Sequence, residues 1–201
     1  MTASARRPTD WNAKARLRRS LLAARREVAD TAGTVAALTR AVLALPEVGV
    51  ADTVAAYWAL PGEPPTAPLI AALRQRGRRV LLPVLRPNGD LDWGAYEGTR
   101  SLASAAHGLA EPVGKRLGPE AIGGADVVVV PGLAVGADGT RLGRGGGSYD
   151  RVLTRVGPPT LVVCLLWDGE LLDVVPTAPH DRPVDVAVTP TAVRRFPPRS
   201  R

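Results

Sequence analysis

The sequence predicts an α/β fold: a layered, mostly parallel sheet with flanking helices and an N-terminal helical pair. Three observations carry that prediction. From Thr53 onward, short β-branched runs alternate with segments of helical period. Residues 53–85 read as a β–α–β unit, whose connection should be right-handed if its strands are parallel neighbours. The run from Asp126 to Val130 is apolar at consecutive positions, as a strand covered on both faces requires.

Taken in order, residues 1–8 are expected to be disordered, 9–196 to form one domain, and 197–201 to form a second disordered end. Asp10 to Asp30 shows a helical pattern, with Leu17, Leu21, Leu22 and Val28 on one side and arginines elsewhere. Thr31 to Leu45 gives a second helix, which Pro46 should close. Thr53 to Ala59 is a β-type run that enters the loop LPGEPPT. Thr66 is placed to N-cap the helix APLIAALRQR, and Gly77 stands where a C′ glycine belongs. Arg79 to Leu85 is the next strand, 91–96 an edge or hairpin strand, and 98–124 a Gly-rich stretch with room for one short helix. A central strand at 126–130, a helix near 149–156, a strand at 160–166 and a last strand at 184–189 complete the order.

Composition narrows the function classes. With 45% apolar and 22% charged residues the 201-residue chain is ordinary for a globular protein with one well-buried core. The net charge of +7 is almost wholly arginine, Lys14 and Lys115 being the only lysines. Such a charge suits nucleic acid, a membrane surface or a small polyanion. Nucleic acid is disfavoured: Phe and Tyr are scarce, and no RNA- or DNA-binding signature is present. Cys164, within LVVCLLW, reads as a buried core residue rather than a nucleophile. No stretch approaches the roughly 20 apolar residues needed to span a bilayer, and the basic N-terminus lacks a secretory apolar region. A cytoplasmic protein is the simplest expectation.

The densest chemistry lies in RLGRGGGSYDR, Arg141 to Arg151. Glycines let backbone N–H groups approach oxygens, and the loop leads into a helix N-terminus, so it suits an anion. It lacks the Gly-Lys-Ser/Thr of a Walker loop, and Ser148 stands where a dinucleotide fingerprint begun at Gly143 needs glycine. A glycine-rich turn tied down by arginines stays open as the plainer reading. Position favours the anion site, because the loop follows a buried strand, at the edge where open α/β sheets bind ligands. Arg141 and Arg144 offer forked donors to phosphate oxygens. Ser148 could N-cap the helix with Asp150 an early-turn residue, or Asp150 could share a Mg2+ with substrate phosphates. Asp181, beside His180, is a second candidate ligand. Glu63 is either a solvated loop carboxylate or a ligand contact, and Lys14 and Arg18, one helical turn apart, share either a solvated basic face or a site.

Together these residues carry a resemblance. VVVPGLAVGADGTRLGRGGGSYDRVL resembles the signature of the 5-formyltetrahydrofolate cyclo-ligase family. The likeness continues in Lys14 to Arg18, in Trp58, Glu63 and Thr66, in Gly108 to Pro112, and in Pro176, His180, Asp181, Val184, Asp185 and Thr189. It implies the cyclo-ligase fold, which is CoA-transferase-like, and ATP- and Mg2+-dependent conversion of 5-formyltetrahydrofolate to 5,10-methenyltetrahydrofolate with release of ADP and phosphate. By the same resemblance, Lys14, Arg18, Arg141, Leu142, Gly143, Arg144, Gly145, Gly146, Gly147, Ser148 and Tyr149 would contact ATP. Trp58 and Glu63 would hold the folate together with Arg144, Gly145, Gly146, Gly147 and Ser148. Arg144 would act on the transferring phosphoryl group, and Asp150 and Asp181 would hold Mg2+. The expected partners are ATP and a reduced folate, with no membrane and no nucleic acid, in a monomer. Two departures stand out: Ser148 replaces the first of a tyrosine pair, and Val135-Gly136 replaces Phe-Asp. They leave open a related ATP-dependent enzyme for another formylated or amide substrate. A non-catalytic member that binds nucleic acid or protein is the other alternative.

Overall fold

The computed structural model describes residues 11–28, 31–179 and 181–197. The expectations for residues 1–8, for 198–201 and for His180 therefore lie outside the described residues. Helix α1 (Trp11–Ala24) is followed by α2 (Ala32–Leu43) and by a short α3 (Pro46–Val50). Pro46 does not simply close a helix. It opens the next one at a position where its missing N–H is not needed. The capping box at the start of α2 is built from Thr31 and Thr34.

The β–α–β unit forms as read. Strand β1 (Thr53–Ala55) pairs in parallel with β2 (Arg79–Leu85), and α4 (Ala67–Gln75) connects them. β1 stops four residues short of its predicted end, the chain leaving the sheet where the site begins. Thr66 precedes α4 without capping it. Its hydroxyl instead donates to Tyr57 O at 2.5 Å and accepts from Ala59 N at 3.1 Å, which folds the LPGEPPT loop back on the strand end. β3 (Leu91–Ala95) returns antiparallel along β2 as the predicted edge strand.

The Gly-rich stretch after it is more ordered than expected. It holds 3-10 turns at Thr99–Ser101, Ala106–Gly108 and Pro119–Gly124, and an antiparallel pair, β4 (Leu102–Ser104) with β5 (Ala110–Pro112). β6 (Val127–Pro131) is the buried central strand. A small hairpin absent from the sequence reading follows, β7 (Ala134–Val135) with β8 (Arg141–Leu142), and it carries the glycine loop to α5 (Ser148–Leu153). β9 (Leu161–Leu165) and β10 (Val186–Val188) extend the parallel sheet, and an unforeseen antiparallel strand, β11 (Val193–Arg195), closes its edge.

The seven-stranded sheet runs β11-β10-β9-β6-β1-β2-β3 and is parallel except at its two edges. Alternate residues of its strands feed two cores. One face packs under α2 and α4 through Leu38, Val42, Leu69, Ile70 and Leu73, and the other under α5 through Val152 and Leu153. The two N-terminal helices go to different places. α2 joins a face of the sheet, whereas α1 lays Leu17, Leu21 and Leu22 on a third, small cluster of Leu133, Ala134, Leu142 and Val175 beside the hairpin. That places the polar side of α1 against the ends of the strands, where the next section begins.

Candidate active site

The chain leaves β1, β2, β6 and β9 at the same edge of the sheet, because these strands are parallel. A cavity of about 350 Å3 opens there. Every residue named above for nucleotide, folate or cation, from Lys14 and Arg18 through Trp58 and Glu63 to the 141–150 segment and Asp181, borders this one cavity. The structure thus brings together side chains as far apart in sequence as Lys14 and Asp181.

The N-terminal pair is not a solvated face. Lys14 is buried and its ammonium donates to the Asp181 carboxylate, which also accepts from Ala178 N at 2.6 Å. Arg18 Nε donates to Gly143 O at 2.9 Å, tying α1 to the glycine loop. Arg141 is buried, and it donates to Asp150 Oδ1 at 2.7 Å and to Pro131 O at 3.2 Å. Asp150 and Asp181 are thus each paired with a cation at the cavity wall. Among the described residues no group of three or more metal-ligating side chains exists. The donor set still suits Mg2+, which keeps its own waters and needs only one or two carboxylates beside substrate phosphates.

Glu63 is not a solvated carboxylate either. It is buried, accepts from Leu60 N at 2.9 Å, and receives Arg144 Nε at 2.9 Å across the cavity. Arg144 itself is exposed. Trp58 stands beside Tyr96 with ring centroids 6.1 Å apart. Tyr149 and Arg141 each carry a buried donor, Oη and Nε, with no hydrogen-bond partner among the described residues. Burial first, and then the Glu63 carboxylate, push the Tyr149 hydroxyl above the ordinary phenol range, so it remains a proton donor. Two unsatisfied buried donors in one cavity wall are what a polar ligand would satisfy.

The loop differs from expectation in detail. Gly147, at φ +70°, is the N-cap of α5, and Ser148 does not cap it. A left-handed backbone there favours glycine and turns the chain sharply into the helix. The Ser148 hydroxyl donates to Gly89 O at 2.6 Å, in the turn between β2 and β3, and Arg151 Nη2 reaches the same oxygen at 2.6 Å. Because α5 has only six residues, the loop amides and arginines are the main donors on offer rather than a long helix dipole.

Several wall residues escaped the sequence reading. Tyr57 lies next to Trp58 just beyond β1, Leu85 ends β2, and Gly132 follows β6, all at the same edge. Leu109 to Glu111 form the facing wall, with Glu111 Oε1 accepting from Leu85 N at 2.8 Å. Their motif, Gly108 to Pro112, was visible in the sequence, but nothing in it told that β5 packs beside β2. Cys164 is buried as expected, and burial pushes its thiol up to about 12, which removes it as a nucleophile.

The comparisons with known proteins bear on this geometry. A model of the 5-formyltetrahydrofolate cyclo-ligase family matches residues 10–190. The chain belongs to that family. A 5-formyltetrahydrofolate cyclo-ligase of Mycolicibacterium smegmatis is 41% identical over 184 residues, covering 88% of this chain and 93% of the relative. The one from Escherichia coli strain K12 is 35% identical over 155 residues, covering 76% and 85%. Among solved structures, the 5,10-methenyltetrahydrofolate synthetase of Aquifex aeolicus superposes with a TM-score of 0.78 at 31% identity, covering 91% of this chain and 92% of that one. The resemblance drawn from the motifs, the α/β fold and the assignment to an enzyme family all hold. No helix among the described residues is long and apolar enough to cross a membrane.

Proposed function

We propose that the chain converts 5-formyltetrahydrofolate to 5,10-methenyltetrahydrofolate at the expense of ATP, in the presence of Mg2+, releasing ADP and phosphate. The observation that carries the reading is the convergence on one cavity of every residue assigned above to nucleotide, folate or cation, in a chain of this family. A formamide oxygen is a poor leaving group. On this reading the formyl oxygen attacks the γ-phosphorus and ADP departs, leaving an imidate-like phosphate. The second amine of the same folate then closes on the formyl carbon, loses its proton, and phosphate leaves.

Little covalent work falls to the protein, so positioning and charge neutralisation dominate. Lys14, Arg18 and the 141–149 loop hold the nucleotide phosphates, and Arg144 turns from Glu63 to the transferring phosphoryl group. Glu63 then accepts hydrogen bonds from the pterin, and Trp58 lies along the ring. Asp150 and Asp181 hold Mg2+, which supplies charge neutralisation at the phosphates. The rest of the reading is a cytoplasmic monomer with one domain over residues 9–196.

The test mixes purified protein with 5-formyltetrahydrofolate, ATP and Mg2+ and follows the methenyl absorbance. A rise that requires all three supports the reading. Flat absorbance from folded protein that binds ATP would sink the folate assignment. A second reading, a related enzyme for another formylated or amide substrate, is favoured by one observation. Ser148 spends its hydroxyl on Gly89 O and gives the pocket no aromatic wall. ATP turnover indifferent to folates would select it.

A further inference from the structure

Among the described residues, the helix that delivers Lys14 and Arg18 lays Leu17, Leu21 and Leu22 against the small third cluster. What fixes its far end is polar. Arg25 N still donates to Leu21 O at 2.9 Å, so the helical path continues to Arg25. Spacings of four, seven and eleven residues keep Lys14, Arg18, Leu21 and Arg25 on one face of that path. Arg25 is buried and forked. Its Nε donates to Glu170 Oε1 at 2.6 Å, and its Nη2 donates to Glu170 Oε2 at 2.8 Å and to Gly132 O at 2.5 Å.

Glu170 carries the connection onward. It is buried and accepts from Trp167 N at 2.8 Å, while Trp167 Nε1 donates to Gly62 O at 3.1 Å, one residue before Glu63. Gly132, just after β6, lies close against β9, since a Cβ there would meet Cys164 Sγ at 2.5 Å, and its carbonyl is the one Arg25 reaches. The route therefore runs from α1 through Arg25, Glu170 and Trp167 to the Glu63 loop, behind the cavity rather than across it.

We propose that Arg25 and Glu170 are positioning residues, a buried clamp that fixes the nucleotide-side helix and the folate-side loop relative to one another. Neither side chain lines the cavity. Arg25 acts through the placement of Lys14 and Arg18, and Glu170 through Trp167 and the loop bearing Glu63. The inference rests on the function proposed above for the identity of the two ligands, but not for the existence of the clamp.

The experiment compares wild type with Arg25→Lys, which keeps the charge and loses the fork. It also uses the paired change Arg25→Met/Glu170→Leu, which removes both buried charges together and so strands neither. Amide hydrogen exchange of the ligand-free proteins is the first readout. Exchange should rise together in α1 and in residues 60–63, and stay unchanged in the β2–β3 turn. ATP binding by titration calorimetry is the second, with an expected rise in Kd on the order of 10- to 100-fold, the scale on which small misplacements are felt.

A double-mutant cycle separates positioning from mere stability. Lys14→Ala should weaken ATP binding in wild type and add little in the Arg25→Met/Glu170→Leu background. Asp126→Ala, which unties Asp52 N and Thr53 N at the opposite ends of the strands, should lower stability and leave the Lys14 effect whole. Losses from Lys14 and the clamp that simply multiply, or exchange that rises in α1 alone, would overturn the clamp. Wild-type protein that binds no ATP overturns the nucleotide reading instead, and the exchange result still decides whether the clamp exists.

Discussion

Two arginine–glutamate pairs bracket the cavity, alike in chemistry and different in their access to water. In the Arg144–Glu63 pair the side chains are 42% and 5% exposed, and in the Arg25–Glu170 pair they are 3% and 6%. The first guanidinium can swing into the cavity without leaving water. The second could move only by taking its charge through apolar protein. A pair whose cation stands in water can exchange from that side, whereas breaking one buried on both sides strands a desolvated charge. The contrast assigns the front pair to the reaction and the rear pair to the framework.

The largest expected effect attacks the rear pair. Glu170→Ala leaves Arg25 buried without its carboxylate, at a cost of about 3–5 kcal/mol. For a chain of this size that is a fall in Tm of roughly 6–20 °C. Thermal or urea unfolding measures it. A loss below about 1 kcal/mol would show that water reaches the pair, and the contrast would collapse.

The front pair should answer in the other currency. Arg144→Ala should cost less stability than Glu170→Ala, roughly 1–3 kcal/mol, because the buried Glu63 loses one partner but keeps Leu60 N and borders the cavity. On the proposed function its kcat should fall on the order of 100- to 1000-fold, the usual loss when a donor to developing charge is removed. Equal kcat in wild type and variant would return Arg144 to the role of a loop tether.

The same contrast explains what could be read from sequence. Strands such as 127–131 were legible because consecutive valines need two covered faces. The glycine loop was legible by its composition, although the cap expected of Ser148 falls to Gly147, whose left-handed backbone favours glycine. The cavity residues were legible through their motifs, Glu63 and Arg144 included, although 81 positions separate them. Arg25 was not. In sequence it is one arginine among many on a basic helix, and its meaning comes from Glu170, 145 positions away. The β7–β8 hairpin was missed for the related reason that two-residue strands have no period to detect. Pro46 misled because a proline ends one helix and begins another with equal ease.

A third ion pair lies between the extremes and tests whether burial is the governing variable. Arg155 donates to both oxygens of Asp90, at 3.0 and 2.7 Å, with side chains 23% and 10% exposed. The Arg155 hydrogen bond, more than any other influence, holds the Asp90 carboxyl below its ordinary range. The unfolded chain then takes up this proton first as pH falls, because its carboxyl keeps the ordinary value of about 3.9. The pair's contribution is therefore present above about pH 4 and is lost as pH drops through the lower folded value. Asp90→Asn should be less stable than wild type near pH 7, by less than about 2 kcal/mol for a partly exposed pair, and the gap should narrow below about pH 4. Urea unfolding across that range measures it. Glu47, also held low by its hydrogen bond to Arg195 but 39% exposed, should show a smaller gap on Glu47→Gln. A gap for Glu47 as large as that for Asp90, or one that persists unchanged in acid, would mean that burial does not rank these pairs.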